Sequence, residues 1–338
     1  MLNNKTVLIT GGTGSLGKKL ISHILAKHKK VKKVIIFSRD ELKQYEMSLN
    51  FSKIESKKLR FFLGDIRDLD RLTHAFKNVD YVIHAAALKQ VNTAEYNPFE
   101  FIKTNILGSQ NIIQAALNSS KVKKIMALST DKAAAPINLY GATKLCSDKL
   151  FTAANNYVGS EDKVFSVIRY GNVFGSRGSV VPTFLKYNNN SDHFPITDIN
   201  MTRFSLSIDD AVNFVMNCLK NSIGGEIFVP KIKSYKLAEL AKSINPKKKI
   251  KLIGLRPGEK IHEELITKAD SNTTYDMGKY FAILPPQLER NMYKNKYKKF
   301  NLKKKVNYNF SYNSFDNKTY LSINQLKKQI EIFKKNNG

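Results

Sequence analysis

Apolar residues in the first 170 positions fall in short, near-continuous β-branched runs separated by longer stretches of helical period. The runs 6–10, 34–37, 60–63, 81–84, 124–128 and 164–170 lack the polar alternation of half-exposed strands, so they predict strands covered on both faces. Between them, 15–28, 99–117 and 140–156 predict helices. Strand alternating with helix in this way predicts a parallel sheet with helices on both sides. After Gly171 the pattern changes: Gly, Pro and Asn crowd 171–195, followed by a helix near 209–220 and a strand near 226–229. The expected fold is α/β: a Rossmann-type doubly wound parallel sheet over 1–170, to which later segments return, and a smaller interleaved region over 171–285. Beyond Pro285-Pro286 the periodicity weakens, and 286–338 reads as a basic, loosely packed extension.

Composition supports a folded chain. With 338 residues, 42% hydrophobic and 25% charged, the chain can bury a sizeable core, which excludes disorder, collagen and disulfide-scaffold classes. Cys146 and Cys218 are the only cysteines and stand far apart, as in a protein of a reducing compartment without a thiol metal cluster. Residues 1–5 run straight into a strand signal, and no stretch reaches the length of a membrane span, so a cytoplasmic protein with no membrane partner is expected. Charge is the oddity: 56 Lys+Arg against 28 Asp+Glu leave +28. That raises a nucleic-acid or acidic-membrane partner. The excess is mostly Lys and dispersed, with one dense run at 293–299 and Lys303-Lys304-Lys305. A Lys- and Asn-rich composition produces such runs as solvated surface, so nucleic acid is not an expected partner.

The first strand leads into Gly11-Gly12-Thr13-Gly14-Ser15-Leu16-Gly17 and then a helix. Glycines at 11, 14 and 17 permit positive φ, close approach of backbone to a pyrophosphate, and tight packing of helix on strand. The helix N-terminus adds free N–H groups and the positive dipole end. About twenty residues on, Phe37-Ser38-Arg39-Asp40 ends the second strand, and Ser38 with Arg39 suits the 2′-phosphate of NADP. Gly64-Asp65 is placed to meet the adenine, and the small residues after His84, Ala85 and Ala86, leave room for cofactor.

After the fifth strand come Ser129-Thr130-Asp131-Lys132 and then Tyr140-Gly141-Ala142-Thr143-Lys144, opening a helix. Positions i and i+4 share a helix face, so Tyr140 and Lys144 point together into the crevice, where an ammonium favours tyrosinate and brings the phenol towards neutrality. A second Tyr-x-x-x-Lys, Tyr275/Lys279, lies outside any cofactor face. His262-Glu263-Glu264 does not form H-E-x-x-H, and no histidine shows metal-ligand spacing.

Thr10-Gly11-x-x-Gly14-x-x-Gly17 with Tyr140-x-x-x-Lys144 resembles the extended short-chain dehydrogenase/reductase family of nucleotide-sugar enzymes, over roughly residues 5–285. Segments 169–175 and 254–260 resemble its sugar-nucleotide-binding segments. Within it, segments 38–44, 84–89, 94–98, 129–133 and 176–182 resemble the inverting UDP-N-acetylglucosamine 4,6-dehydratases of pseudaminic acid biosynthesis. That family oxidises the sugar at C4, removes water across C5 and C6, and inverts C5. The resemblance implies NADP held by Gly11, Thr13, Gly14, Ser15, Leu16, Gly17, Ser38, Arg39, Asp40, Glu41, Leu42, Lys43, Asp65, Ile66, Ala85, Ala86, Lys89, Thr104, Tyr140 and Lys144. It implies UDP-N-acetylglucosamine held by Lys89, Asn172, Val173, Val180, Val181, Pro182, Thr183, Thr197, Arg203, Arg256 and Glu259, with Arg203 and Arg256 on the diphosphate.

The implied catalytic set is Thr130, Asp131, Lys132, Tyr140 and Lys144. Tyr140 is the base for the C4 hydroxyl, Lys132 the base for C5, and protonated Asp131 the acid for the C6 hydroxyl. Burial, the Lys144 charge and an oxidised nicotinamide are expected to push the Lys132 pKa down. Relatives that retain C5 carry Glu at position 132, so Lys132 argues for inversion. The chain departs from the family pattern at Gln90-Val91-Asn92-Thr93, beside the sugar pocket, and at Ser205-Leu206-Ser207. A homo-oligomer, dimer or hexamer, is implied. The alternatives are a UDP-sugar 4-epimerase, a retaining 4,6-dehydratase and, outside enzymes, an NADP-responsive nucleic-acid-binding protein.

Overall fold

A computed structural model describes residues 1–159, 161–176, 178–286, 297 and 302–337. The strands are β1 (Thr6–Thr10), β2 (Lys33–Ser38), β3 (Leu59–Leu63), β4 (Tyr81–His84), β5 (Lys124–Thr130), β6 (Val164–Tyr170), β7 (His193–Ile196), β8 (Thr202–Ser205), β9 (Ile227–Pro230), β10 (Lys233–Lys236), β11 (Lys249–Leu252), β12 (Glu264–Ile266), β13 (Thr274–Asp276), β14 (Tyr280–Ile283), β15 (Lys304–Lys305) and β16 (Tyr312–Asn313). The main sheet has the order β15-β13-β14-β9-β6-β5-β4-β1-β2-β3. From β3 through β6 to β9 it is parallel, and β14, β13 and β15 close it antiparallel.

Every residue of β1 and β4 is buried. One apolar cluster, around Leu8, Ile112 and Phe165, lies on one side of the sheet, and another, around Ile9, Ile24 and Val215, on the other. Strands covered on both faces cannot alternate with polar residues, which is why their sequence reads as continuous hydrophobic runs. Strand order reverses between β1 and β4, and the carboxyl ends there open a crevice, the usual ligand position in such sheets.

Helix starts follow local chemistry. The helix Leu139–Ala153 is capped by Asn138, whose side chain accepts from the Gly141 N–H at 2.8 Å. The helix Ile208–Asn221 is capped by Ser207, which accepts from the Asp210 N–H at 3.0 Å, with Asp209 and Asp210 in its first turn. The predicted helix over 99–117 is one helical path in three parts: Pro98–Phe101, a π-helical turn Ile102–Leu107, and Gly108–Leu117.

The expectation of a loosely packed tail is corrected for its described part. The helix Ile323–Asn337 buries Leu326 and Ile330, with Leu321 just before it, against Val181, Phe184, Leu240 and Ala241. Leu326, Ile330 and Phe333 recur at helical spacing, and the Lys pairs at 327–328 and 334–335 beside them mask that stripe in the sequence. The basic run 293–299 lies outside the described residues except Tyr297, whose hydroxyl donates to the Gly224 carbonyl at 2.7 Å. Lys304 and Lys305 form the exposed edge strand β15. Among the described residues no helix is long and apolar enough to cross a membrane.

Candidate active site

The crevice at the carboxyl ends of β1, β4 and β5 widens into a cavity of about 1760 Å³. Its floor is the glycine turn. Gly11 sits at φ +65° with Ala86 so close that a Cβ would lie 2.9 Å from its backbone, and a Cβ on Gly17 would lie 2.6 Å from Gly12. Thr10 ties the two strand ends together: its hydroxyl meets His84 Nδ1 at 2.8 Å and accepts from the N–H groups of Ala85 and Ala86 at 3.2 Å. Burial pushes the His84 pKa down to about 3, so the ring is neutral. The helix Ser15–Lys27 opens into the cavity after Gly14.

At the end of β2, Ser38 Oγ accepts from Gln44 at 2.9 Å, while the Asp40 carboxylate caps the next helix through the Lys43 N–H at 3.0 Å and pairs with the Lys43 amine. Arg39 reaches to 3.7 Å from Asp65 and is otherwise exposed. The Asp65 carboxylate is itself held by Arg67, at 3.0 Å from Nε and 2.8 Å from the terminal nitrogen. Buried Thr104 Oγ1, also on the cavity wall, has no partner in the protein. The glycine cradle, the open helix end and this orphaned hydroxyl fit a dinucleotide along β1 to β4.

On the facing wall, Thr130, Asp131, Lys132, Tyr140 and Lys144 come together as expected. Gly141 permits the approach: a Cβ there would lie 2.2 Å from the Lys132 carbonyl oxygen. Thr130 Oγ1 donates to Asp131 Oδ1 at 2.8 Å, and Lys132 Nζ donates to the same oxygen at 3.2 Å. Asp131 Oδ2 is buried without a partner. Burial, then the Glu263 charge, raises the Asp131 pKa against the pull of Lys132 and Thr130.

Two electrostatic expectations are corrected. Burial does work against the Lys132 ammonium, but the Asp131 and Glu263 carboxylates outweigh it and hold the amine above the usual lysine range. Burial pushes the Tyr140 phenol up to about 12, and the cation that opposes this is Lys132, assisted by a hydrogen bond with Thr130. Lys144 instead donates to the Leu128 carbonyl at 2.9 Å. Burial lowers its pKa against the Asp148 charge.

The second wall comes from the later segments. Asn172, Val173, Val180, Thr183, Thr197, Arg203, Arg256 and Glu259 line the cavity, as do Lys89 and Gln90 to Thr93. Asn172 Oδ1 is buried and unpartnered. Arg203 is largely committed within the protein, donating to the Thr202 and Ile261 carbonyls at 2.7 and 2.9 Å, whereas Arg256 is mostly exposed. Four expected contacts do not reach the wall. Glu41 and Leu42 point to solvent on the helix Glu41–Ser48, Val181 turns into the core, and Pro182 follows it. Arg177 of the 176–182 segment lies outside the described residues. Tyr275 stands on β13 rather than on a helix, away from the cavity.

Three features were not expected from sequence. Glu263, just before β12, is buried with Oε1 2.9 Å from Lys132 Nζ and 3.5 Å from Arg203 Nε. Only its place in a segment rich in alternating charge hinted at it. Lys260 joins it on the wall, donating to the Ala134 carbonyl at 2.6 Å. From the tail helix, Gln329, Ile332 and Phe333 complete the cavity, and Gln329 accepts from Ser205 at 3.2 Å.

Comparison with known proteins gives three findings. The chain matches the family described as "Polysaccharide biosynthesis protein" over residues 7–285. It is 55% identical over 286 residues, 84% of each chain, to a protein of Campylobacter jejuni named UDP-N-acetylglucosamine 4,6-dehydratase (inverting), and 43% identical over 289 residues, again 84% of each, to a Rickettsia bellii protein named UDP-glucose 4-epimerase. Among solved structures, Pen from Bacillus thuringiensis superposes with a TM-score of 0.87 at 36% identity, covering 99% of both chains.

Proposed function

The chain belongs to the polysaccharide biosynthesis protein family of extended short-chain dehydrogenase/reductases, and from that premise we propose that it is a hydro-lyase, the NADP-dependent inverting 4,6-dehydratase of UDP-N-acetylglucosamine. Its product would be a UDP-2-acetamido-2,6-dideoxyhexos-4-ulose of inverted C5, suited to pseudaminic acid synthesis.

The observation that carries this reading is the pair at 131 and 132. Asp131 Oδ1 already accepts two hydrogen bonds, so a proton on this carboxyl sits on the unpartnered Oδ2, free to be given away. Beside it, Lys132 is a base of the right reach for an adjacent carbon once its amine is free. A 4-epimerase would need only the Tyr140 end of the site and has no use for this acid–base couple. That separates the reading from the activity named for the Rickettsia relative.

When bound, the nicotinamide would supply the hydride chemistry, oxidation at C4 and reduction at C6, so that the ketone stays at C4 and no net oxidant is consumed. Gly11, Gly14, Ser15, Ala86 and Thr104 would hold the dinucleotide. Ser38 and Arg39 support NADP over NAD, because Asp40 is already bound to Lys43 and is not free for a ribose diol. The remaining steps belong to the side chains. Tyr140, once its phenol has ionised beside the Lys132 charge and with Lys144 towards the nicotinamide ribose, takes the proton of the C4 hydroxyl. The 4-ketone acidifies C5, whose proton passes to Lys132 Nζ. The C6–O bond then breaks as Asp131 Oδ2 gives its proton to the hydroxyl, and one water leaves. As C6 is reduced, C5 takes a solvent-exchangeable proton on the face opposite Lys132 and Tyr140 gives up the one it took from the C4 hydroxyl, so that the centre is inverted and the protons balance.

Residues 1–170 would bind the dinucleotide and 171–285 the UDP-sugar, with Asn172, Thr183, Arg203 and Arg256 towards the nucleotide and diphosphate. Gln90, Asn92 and Thr93, which line the cavity, would border the sugar and tune its N-acetyl preference. Exposed Tyr96, Phe99 and Leu107 on neighbouring helices support a homo-oligomer. Incubating the protein with UDP-N-acetylglucosamine and NADP tests the function: a product lighter by one water supports it, and an isomer of unchanged mass supports the epimerase instead.

A further inference from the structure

The proposed chemistry leaves one proton unplaced. Lys132 must take the C5 proton as a free amine, yet at rest it is an ammonium between the Asp131 and Glu263 carboxyl groups. Of these, Asp131 Oδ1 is occupied by Thr130 as well, and the proposed acid role requires Asp131 to give a proton rather than receive one. Glu263 has no acid role to keep, and its Oε1 has a more distant second neighbour, Arg203 Nε at 3.5 Å. Its Oε1 is the nearer oxygen, at 2.9 Å, its Oε2 is buried with no partner, and its backbone is fixed, the N–H donating to Ser314 Oγ at 2.9 Å while its carbonyl accepts from the Ser314 N–H at 2.8 Å.

We propose that Glu263 is the acceptor that frees Lys132 to act as a base. This rests on the dehydratase reading above. An Nζ–H bond of Lys132 breaks as an O–H bond forms on Glu263, and the ion pair becomes a neutral amine beside a neutral carboxyl. In a dry site this transfer costs far less than releasing the proton to bulk water, because a neutral pair needs no solvation. The amine then takes the C5 proton and is an ammonium again. Once Asp131 has given its proton to the departing hydroxyl, the proton on Glu263 passes back through Lys132 to Asp131, and the resting charges are restored.

Glu263 acts through Lys132 and is therefore a positioning residue. The groups facing it are consistent with that use. Burial works against the Glu263 charge, but Lys132, then Arg203 from β8 and Lys260 from the preceding loop, outweigh it and keep the carboxylate an empty acceptor, whose hold on a proton strengthens as Lys132 gives up its charge. Asp131 from the 131–133 turn opposes them. Tyr140 and Tyr235 are neutral, and Lys89 across the cavity is a cation whose pKa is lowered by burial and by the Lys132 charge. Glu259 pairs with Arg203 at 3.6 Å and draws part of that charge away.

The test is the pH dependence of kcat for water loss in the wild type, Glu263→Gln and Glu263→Asp, each first checked for an unchanged melting temperature. In the wild type the proton moves internally, so kcat should be flat through neutral pH. Glu263→Gln should fall about 100-fold at neutral pH and then climb about tenfold per pH unit into the alkaline range, because Lys132 must now lose its proton to water. Glu263→Asp, also a carboxylate, should restore a flat profile. In Glu263→Gln the nicotinamide should still be reduced on adding UDP-N-acetylglucosamine, since oxidation at C4 does not use this pair. Without cofactor or sugar, the pH midpoint of reductive methylation at Lys132, read by peptide mass spectrometry, should drop in Glu263→Gln. A Glu263→Gln enzyme that is faster than wild type at neutral pH, or slower with an unchanged flat profile, overturns the proposal while leaving the dehydratase reading intact. Absence of water loss in the wild type overturns both.

Discussion

At position 132 the charge on a single amine decides what chemistry the site can do. Types of residue were legible here: Asp131, Lys132, Tyr140 and Lys144 stand close in sequence and meet on one wall. Their proton balance was not, because Asp131 and Glu263, the latter entering from 131 residues away, together turn an expected lowering of the Lys132 pKa into a rise. Lys132→Ala should keep NADP binding, measured by fluorescence titration, and lower the rate of water loss by ~100-fold or more, the usual share of a general base. Asp131 carries the opposite lesson. Its folded pKa is raised, first by burial, so its contribution to stability is full below the unfolded value and is lost as pH rises through the folded one. At neutral pH keeping this carboxyl buried therefore works against folding. Asp131→Asn should melt at a higher temperature than wild type at pH 7, with a smaller difference in acid, while losing dehydration.

Elements were legible in proportion to how locally they are determined. The first six of the seven parallel strands showed because burial on both faces enforces continuous apolar runs, and the glycine turn showed because its backbone demands it. Strands β7, β8, β10 and β11 have four residues each, and they pair only because the chain returns from a distance, β7 with β11 and β8 with β10, so no local pattern marks them. Gly141 was read only as a spacer between Tyr140 and Lys144, but it is where the helix seats on the 131–133 turn. Gly141→Ala would put a Cβ 2.2 Å from the Lys132 carbonyl oxygen. We expect kcat to fall ~10-fold or more, as a shift near 1 Å in catalytic geometry does, with the Kd for NADP little changed. At the ends of β1 and β4, the neutral His84 gives a separate acid sensitivity. Its folded pKa of about 3 lies below the unfolded 6.5, so its contribution is present above pH 6.5 and is lost as pH falls towards 3. At ~1.36 kcal/mol per unit the loss is about 5 kcal/mol, and a urea-denaturation series over that range should show it diminished in a His84→Gln variant.

Across the whole molecule, the second region and the tail close one cavity over the sheet. Lys-rich composition hid this, since the apolar stripe of the last helix is diluted by its cationic face. Leu326 is fully buried, so Leu326→Ala should cost about 2–5 kcal/mol and lower the melting temperature, against the near-neutral effect expected of an unpacked tail. Because Gln329 and Phe333 line the cavity, Phe333→Ala should raise the KM for the UDP-sugar more than it lowers kcat. The charge of +28 acts over the same scale, and it should make binding of the sugar diphosphate weaken as salt rises. The account as a whole turns on what happens at C5 of the sugar. Proton NMR of the product formed from UDP-N-acetylglucosamine in deuterated water reads it directly: deuterium at C5 with the couplings of an inverted centre is the predicted result, and a C5 that keeps its original hydrogen or its original configuration would contradict it.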